Sequence, residues 1–204
     1  NALKSIAPDN GYAIIGAPRL AGHNHEPVLY TSAYILNQTD LVDTYDKMHL
    51  VPFGEYLPYR SILSKLGADK LTQGAHDFTP AKDRALYKLD NIPPFSILIC
   101  YEVLFPGEVL NTVGKDKPDW LLNITNDAWY LNSSGPYQHL HIARWRAAEE
   151  GVPIIRCTNK GISCVIDSVG RVLKSLGCNA QGILDVNLPK PLKDRTFYSK
   201  HRWF

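Results

Sequence analysis

The chain has 204 residues, a length that fits one domain or one domain with a short appendage. Its 22 Lys and Arg residues nearly balance its 20 Asp and Glu residues, and a net charge of +2 argues against a general nucleic-acid binder. With 45% apolar and 21% charged residues, the composition is typical of a globular protein and excludes disorder as the default. The four cysteines are too few for a disulfide scaffold and match no zinc-finger spacing.

Short apolar and β-branched runs dominate the first part of the chain. They predict strands at Tyr12–Ile15 and Val28–Leu36, and a third extended segment at Thr44–Leu50. Residues 51–84 contain many turn formers and predict a long loop with one helix near Arg60–Leu66. Loops of this length within a compact domain are usually functional or disordered.

The second part alternates buried-strand patterns with helical ones. Phe95–Cys100 is a continuous apolar run, which is typical of a strand buried on both faces. Tyr137–Glu150 is the clearest helix, with Tyr137, Leu140, Ala143 and Ala147 near one face and Gly151 as its stop. The other predicted elements are an edge strand at Ala85–Leu89, a helix at Pro106–Val113, and strands at Trp120–Ile124, Ile154–Cys157, Ile162–Asp167, Val172–Leu176 and Gly182–Val186. Few helices among nine or ten strands predict a layered α/β sandwich.

Two residues could support nucleophilic chemistry. Cys100 ends a buried strand ahead of a predicted helix, and a helix N-terminus lowers the pKa of a thiol. The alternative is a buried structural cysteine, which is common. Lys47, if it lies on an inner strand position, needs a partner, and beside a cysteine it would stabilise a thiolate and an oxyanion. The alternative is an ordinary surface lysine.

Other polar residues give weaker signals. Glu55 lies in an aromatic, Gly-containing turn, where it would usually be a solvated loop residue. The Thr125–Tyr130 segment could shape a pocket, or it could be a turn capped by its own Asn and Asp side chains. His139 and His141 are two apart on the predicted helix and face different directions, so they form a poor metal pair. His23 and His25 carry no clear signal. We expect neither a metal nor a cofactor.

Three motifs, in this order and at this spacing, carry a resemblance to a known family. They are Tyr45–Pro58 (YDKMHLVPFGEYLP), Ile99–Glu102 (ICYE) and Thr125–Tyr130 (TNDAWY). Together they resemble the nitrilase-like domain of bacterial apolipoprotein N-acyltransferase, and the likeness covers roughly residues 10–190. The Lys and Cys motifs alone would indicate only the carbon–nitrogen hydrolase superfamily. Further segments that fit are Gly135–His139, Arg144, Arg146 and Thr158–Ile162.

The resemblance implies an α/β fold of the nitrilase or carbon–nitrogen hydrolase type, an α-β-β-α sandwich that faces the periplasm from the bacterial inner membrane. It implies transfer of an acyl chain from a phospholipid, commonly phosphatidylethanolamine, to the N-terminal diacylglyceryl-cysteine of apolipoproteins. Cys100 then matches the nucleophile that forms a thioester, and Lys47 matches the lysine of a Glu-Lys-Cys triad. Glu55 matches an additional essential glutamate, and Tyr101 and Glu102 match supporting positions beside the nucleophile.

The match also has a gap. The family's triad glutamate precedes the matched region, and residues 1–11 contain no glutamate. We therefore expect residues 1–190 to be a nitrilase-like domain that lacks its first strand and general base. We expect residues 191–204 to be a basic aromatic tail leading toward a membrane helix outside the chain. This chain alone should then have little or no transferase activity. The alternatives are a soluble carbon–nitrogen hydrolase acting as an amidase, and a non-catalytic remnant of a split gene.

Overall fold

The computed structural model of the protein describes residues 6–22, 28–63, 65, 67, 76–110 and 116–201. His23, His25 and residues 202–204 of the predicted tail lie outside this part of the chain. The chain divides into two compact units, Asn1–Lys82 and Asp83–Phe204. The strands are β1 (Ala13–Ala21), β2 (Val28–Leu36), β3 (Leu41–Asp46), β4 (Phe95–Ile99), β5 (Trp120–Asn126), β6 (Ile154–Asn159), β7 (Ser163–Ile166) and β8 (Val172–Leu176). The α-helices are α1 (Arg60–Leu63), α2 (Gly135–Glu150) and α3 (Phe197–Lys200), and 3₁₀ helices form at Cys100–Leu104 and Asp127–Tyr130.

The first unit contains an antiparallel sheet with the strand order β1-β2-β3. The central strand β2 has the predicted bounds, and it buries Ala33 and Ile35 completely because alternate residues of a strand share a face. β1 is longer than predicted and continues through Pro18. Proline has no backbone N–H to donate, and an outer strand tolerates this because one of its edges has no neighbour among the described strands of the sheet. β3 ends at Asp46, so Lys47 lies directly beyond a strand end.

The second unit contains a five-stranded sheet in the order β4-β5-β6-β7-β8. β4, β5 and β6 are parallel, and β7 and β8 complete the sheet as antiparallel strands. All five residues of β4 are buried, which explains why four of them are apolar, and the hydroxyl of the fifth, Ser96, donates to the carbonyl of Ala85 at 2.8 Å. The core that packs on this sheet is formed by Leu98, Val103, Val109, Leu110, Leu121, Ala143, Ala147, Val152, Ile154, Cys164 and Ile166.

Helix α2 connects β5 to β6 and has an unusually polar buried face. It ends at Gly151, whose backbone is left-handed (φ 67°) and whose N–H donates to the carbonyl of Ala147, as the sequence predicts for a terminal glycine. Of the residues expected near one face, Ala143 and Ala147 are buried, whereas Tyr137 at the start of the helix is exposed. His139 takes an inward position instead, which brings an imidazole into the interior.

Several predicted elements differ from the structure. Residues 85–89 do not form a strand, because only Tyr87 pairs, through an isolated bridge to Phe95. The described residues 106–110 form turns rather than a helix, and the helical segment is the 3₁₀ helix that starts earlier, at Cys100. Residues 182–186 are described and contain no strand, and Ile183 is 91% exposed because no neighbouring strand covers it.

Candidate active site

Lys47 and Glu55 form a buried ion pair in the first unit. The Nζ atom of Lys47 lies 2.9 Å from Oε1 and 2.7 Å from Oε2 of Glu55. The Lys47 side chain is 1% exposed and that of Glu55 is 16% exposed. Because a buried ammonium group is costly without a counter-charge, Glu55 is the group that allows Lys47 inside. The prediction that an inner Lys47 needs a partner is confirmed, and the surface-lysine alternative is wrong.

The turn around Glu55 holds its carboxylate in place. The backbone N–H of Val51 donates to Oε2 at 2.8 Å, and the hydroxyl of Thr31 on β2 donates to Oε1 at 3.2 Å. The backbone carbonyl of Glu55 accepts from the N–H of Phe78 at 2.9 Å. With donors from three other residues on its two oxygens, Glu55 is a fixed element of the first unit and not a solvated loop residue.

The strand end before Lys47 is fixed by a second charged pair. Asp46 accepts from Arg19 Nε at 3.0 Å and from the hydroxyl of Ser32 at 2.6 Å. The hydrogen bond with Asp46 raises the pKa of Arg19 above its ordinary value, although burial opposes this. Lys47 N–H also donates to the carbonyl of Thr31 at 2.9 Å, so both backbone and side chains fix the course of the chain at Lys47.

Cys100 lies in the second unit at the carboxyl end of β4, as predicted. It is the first residue of the Cys100–Leu104 3₁₀ helix, and its side chain is only partly buried. Its backbone is left-handed, with φ at 49°, which is rare for a residue with a Cβ atom. Strained backbone of this kind persists only where its surroundings enforce it, and it concentrates at functional sites. Partial exposure argues against the buried structural alternative.

Glu102 organises the turn that carries Cys100. It is fully buried, and its Oε2 accepts from the N–H of Ile99 at 2.6 Å, while Oε1 lies 3.5 Å from Nη2 of the buried Arg84. Arg84 Nη1 also donates to the carbonyl of Ile97 in β4, at 2.6 Å. Glu102 is thus tied to the strand that precedes Cys100. The neighbouring Tyr101 ring packs edge-on against Phe105, with centroids 5.1 Å apart.

Behind Cys100 lies a buried polar cluster that the sequence reasoning missed. His139 Nδ1 lies 2.9 Å from Oδ1 of Asp127, and Arg156 Nη2 donates to Oδ2 of the same carboxylate at 2.7 Å. The hydroxyl of Thr125 donates to Oδ1 at 3.1 Å. His139 Nε2 lies 3.3 Å from the backbone carbonyl oxygen of Cys100. One histidine therefore connects a buried charge cluster to the candidate nucleophile.

The charges in this cluster set the pKa values around it. Burial alone raises the pKa of Asp127, but the hydrogen bond from His139 and the positive charge of Arg156 outweigh it, and the net pKa is below the usual range. The pKa of Tyr130 is raised, first by burial and then by electrostatic interaction with neighbouring groups that include Asp127. Burial raises the pKa of the Cys164 thiol to about 11, so this cysteine is a poor nucleophile at neutral pH.

Two features of the sequence could have indicated the cluster. Arg156 interrupts the apolar strand β6, and Asp127 directly follows the buried strand β5. A charged residue at a core position requires an opposite partner, and parallel strands bring both residues toward one edge. The spacing of His139 and His141 bears on metal binding and does not indicate the hydrogen bonds that His139 makes.

The segment after β5 also borders a cavity. A space of about 460 Å³ in the second unit is lined by Ala128, Leu131, Pro136, Tyr137, Lys160 and Cys178, among others. Within the Thr125–Tyr130 segment, Ala128 lines this space. The same segment is also a capped turn, because Asn126 Oδ1 accepts from the Ala128 N–H at 3.1 Å.

The described residues show neither a metal centre nor a membrane span. Across them, His, Cys, Asp and Glu side chains form no group of three or more that could hold a metal ion. No described helix combines the length and the apolar character needed to cross a bilayer. The structure groups Lys47 with Glu55 in the first unit, and Cys100 with Tyr101 and Glu102 in the second.

Comparison with known proteins identifies the family. The carbon-nitrogen hydrolase family model matches residues 1–193. The chain belongs to the carbon–nitrogen hydrolase family. The α/β fold of the nitrilase type that the sequence predicts is thereby confirmed.

Curated relatives that are similar to this chain over almost its whole length are named apolipoprotein N-acyltransferase. The chain is 45% identical over 202 residues to the apolipoprotein N-acyltransferase of Rhodopseudomonas palustris, covering 97% of the chain and 37% of the relative. It is 40% identical over 205 residues to that of Agrobacterium fabrum, covering 99% of the chain and 38% of the relative. The chain thus spans little more than a third of the length of these relatives, and the predicted resemblance to apolipoprotein N-acyltransferase is confirmed.

Solved structures share the fold at low sequence identity. An amidase from Nesterenkonia sp. has a TM-score of 0.60 at 20% identity, covering 87% of the chain and 62% of that protein. A glutamine-dependent NAD+ synthetase from Acinetobacter baumannii has a TM-score of 0.61 at 14% identity, covering 88% of the chain and 31% of that protein. At these identities the likeness concerns the fold alone.

Proposed function

We propose that this chain is the nitrilase-like part of an N-acyltransferase that moves an acyl chain from a phospholipid to the N-terminal diacylglyceryl-cysteine of apolipoproteins. The observation that carries the proposal is the 45% identity over 202 residues to a relative named apolipoprotein N-acyltransferase. The likeness to amidases is limited to 20% identity and supports no separate function. Phosphatidylethanolamine is the proposed donor, and the proposed location is the inner membrane with the domain facing the periplasm.

The proposed reaction has two half-reactions on Cys100. First, the thiolate attacks the acyl ester carbonyl of the phospholipid, and collapse of the tetrahedral intermediate forms a thioester and releases the lysophospholipid alkoxide, which takes up a proton. Second, the α-amine of the acceptor attacks the thioester, forms an amide, loses a proton and returns the thiolate. Transfer through a covalent intermediate predicts ping-pong kinetics. The partial exposure of Cys100 and its left-handed turn support the nucleophile assignment.

The other roles are proposed from the resemblance to the family. Lys47 is the proposed cation that stabilises the thiolate and the oxyanion. Glu55 keeps Lys47 in its ion pair at 2.7 Å, which holds an ammonium group in a buried position. Glu102 holds the turn before Cys100 through the Ile99 N–H at 2.6 Å. Tyr101, the residue directly after the nucleophile, is proposed to support the site.

A segment exchange tests the proposed function. The matching segment of the Rhodopseudomonas palustris relative is replaced by this chain, and the chimera is expressed in cells depleted of their own apolipoprotein N-acyltransferase. Mass spectrometry of a lipoprotein N-terminal peptide then measures N-acylation. We expect the chimera to restore N-acylation, Cys100→Ala to abolish it, and Cys157→Ala, at an exposed cysteine, to retain it.

Two outcomes of the segment exchange would contradict the proposal. If the chimera accumulates in the membrane but leaves lipoproteins without the third acyl chain, the chain is not an acyltransferase domain. If Cys100→Ala acylates as well as the parent chimera, Cys100 is not the nucleophile. Immunoblots of membrane fractions separate loss of chemistry from loss of protein.

A further inference from the structure

The carbonyl of Cys100 has a side-chain partner that comes from another element. His139 on α2 places Nε2 3.3 Å from this oxygen, across 39 residues of sequence. A left-handed backbone at a residue with a Cβ atom is unfavourable by itself, so the surrounding structure has to hold it. Glu102 holds the N-terminal side of the turn through the N–H of Ile99, and His139 is placed to hold its carbonyl side.

The imidazole that makes this contact is itself fixed. Its Nδ1 lies 2.9 Å from Oδ1 of Asp127, and its Nε2 faces the carbonyl oxygen of Cys100, which can only accept, so the contact with Cys100 is made by a proton on Nε2. Arg156 Nη2 donates to Asp127 Oδ2 at 2.7 Å and lies 3.1 Å from the ring, and its Nη1 donates to Asn123 Oδ1. Both His139 and Asp127 are at most 2% exposed. The hydrogen bonds to its oxygens hold the Asp127 carboxylate in place, and the carboxylate in turn limits the rotation of the His139 ring.

We propose that His139 is a positioning residue for the nucleophile: its Nε2–H holds the Cys100 carbonyl and keeps the Cys100 turn left-handed, while Asp127 and Arg156 fix the ring. The part of this inference that concerns reactivity rests on the proposed function, in which Cys100 is the nucleophile. His139 touches neither substrate nor sulfur in this role. It acts through the backbone of Cys100 and determines the direction in which Sγ leaves the strand end.

Two substitutions of His139 distinguish the hydrogen bond at Nδ1 from the one at Nε2. In His139→Asn, the amide nitrogen takes the place of Nδ1, so it retains a donor for Asp127 and loses the one for Cys100. In His139→Gln, the longer side chain places its amide nitrogen near the position of Nε2 and retains the donor for Cys100. His141→Gln, at an exposed position of the same helix, is the matched control.

Selective labelling isolates the one carbonyl in question. Cys100–Tyr101 is the only Cys-Tyr step in the sequence, so ¹³C′-Cys and ¹⁵N-Tyr labelling of the 204-residue chain gives a single HNCO peak for this carbonyl. Loss of an accepted hydrogen bond moves a carbonyl ¹³C resonance upfield. We expect this shift in His139→Asn, and a peak near the parent position in His139→Gln and His141→Gln.

Iodoacetamide labelling then tests the consequence for the thiol. The rate at Cys100 is measured by peptide mass spectrometry relative to the partly buried Cys178, and the buried Cys164 reports whether each variant is folded. We expect the Cys100 rate to fall about three- to tenfold in His139→Asn, the range that one hydrogen bond provides, with recovery in His139→Gln and Cys164 protected throughout. A merely structural role would expose Cys164 and would leave the Cys100-to-Cys178 ratio unchanged.

Each outcome has one meaning. An unchanged HNCO peak in His139→Asn overturns the proposed hydrogen bond, whatever the thiol does. A shifted peak with an unchanged Cys100 rate overturns the positioning role. If Cys100 in the parent chain reacts no faster than Cys178, the proposed nucleophile is contradicted, and the hydrogen bond is then judged from the HNCO peak alone.

Discussion

Gly161 approaches Asp127 so closely that a single added methyl group would disturb the buried cluster. A Cβ atom at this position would lie 2.4 Å from Oδ2 of Asp127 and 2.8 Å from its Cβ and Cγ. The carboxylate cannot swing away at low cost, because His139 and Arg156 hold its two oxygens. Gly161→Ala must therefore either shift the backbone after β6 or break one of these contacts.

The magnitude follows from these two costs. Overpacking costs about 1–3 kcal/mol and a lost hydrogen bond to a charged group about 1.5–3 kcal/mol, so either outcome lowers the stability by up to about 3 kcal/mol. For a chain of this size, about 2–4 °C of Tm per kcal/mol corresponds to a fall of up to about 6–12 °C. Gly177→Ala is the matched control, since a Cβ atom there meets nothing within 4 Å.

Thermal unfolding followed by circular dichroism measures the difference between the two alanine variants. We expect Gly177→Ala to remain within about 0.5 kcal/mol of the parent chain, as surface substitutions usually do. Equal Tm values for Gly161→Ala and Gly177→Ala would refute the reasoning, because the cluster would then tolerate displacement of its central carboxylate.

Three further predictions concern charge and burial. In urea unfolding, Glu55→Gln should cost about 3 kcal/mol because it leaves Lys47 buried without its counter-charge, whereas Asp116→Asn in an exposed lysine pair should cost less than about 1 kcal/mol. Because the pKa of Asp127 is lower in the folded chain than its usual value of about 3.9, it stabilises the fold above that pH, and the stabilisation is lost as the pH falls through the folded pKa. The stability difference between the parent chain and Asp127→Asn should therefore shrink below about pH 4 in pH-dependent urea unfolding. Cys164, with a pKa of about 11, should resist iodoacetamide at pH 8 until the chain is unfolded, as mass spectrometry can show.

One result would contradict each of these three predictions. Equal costs for Glu55→Gln and Asp116→Asn would show that the buried pair contributes no more than a surface pair. A difference between the parent chain and Asp127→Asn that is constant with pH would contradict the lowered pKa of Asp127. Rapid labelling of Cys164 in the folded chain would contradict its burial.

The sheet of the second unit was predictable because its pattern is local. A short, mostly apolar run is typical of a buried strand or helix segment, and Phe95–Cys100 is too short for a typical helix, so β4 was predicted to within one residue. The α2 helix was predictable from its terminal glycine and its length. The strands predicted at residues 85–89 and 182–186 were wrong because a β-type pattern does not supply the neighbouring strand that it requires. Residues 85–89 pair with β4 only through the isolated bridge from Tyr87 to Phe95, and residues 182–186 form no strand.

The candidate site was predictable only in part, for a physical reason. Cys100 has a recognisable local setting at the end of a strand, and the structure retains it there, whereas Lys47 was expected within an extended segment at Thr44–Leu50 and lies directly beyond the end of β3. The partnership of His139 with Asp127 joins residues of different elements, and helix periodicity would assign an inward histidine to the core without naming its partner. A search for charged residues in core strands would have found Arg156, and through it the carboxylate that orients the histidine.

The central claim is that Cys100 accepts an acyl chain, and trapping the acyl-enzyme tests it most directly. The chimera that carries this chain is incubated with phosphatidylethanolamine bearing a labelled acyl chain, without any lipoprotein acceptor, and then digested with trypsin. The account predicts a hydroxylamine-sensitive acyl mass on the peptide of residues 89–115, whose only cysteine is Cys100, and its loss in Cys100→Ala. An unmodified 89–115 peptide in a chimera that still acylates lipoproteins, or an acyl group on another cysteine, would contradict the account.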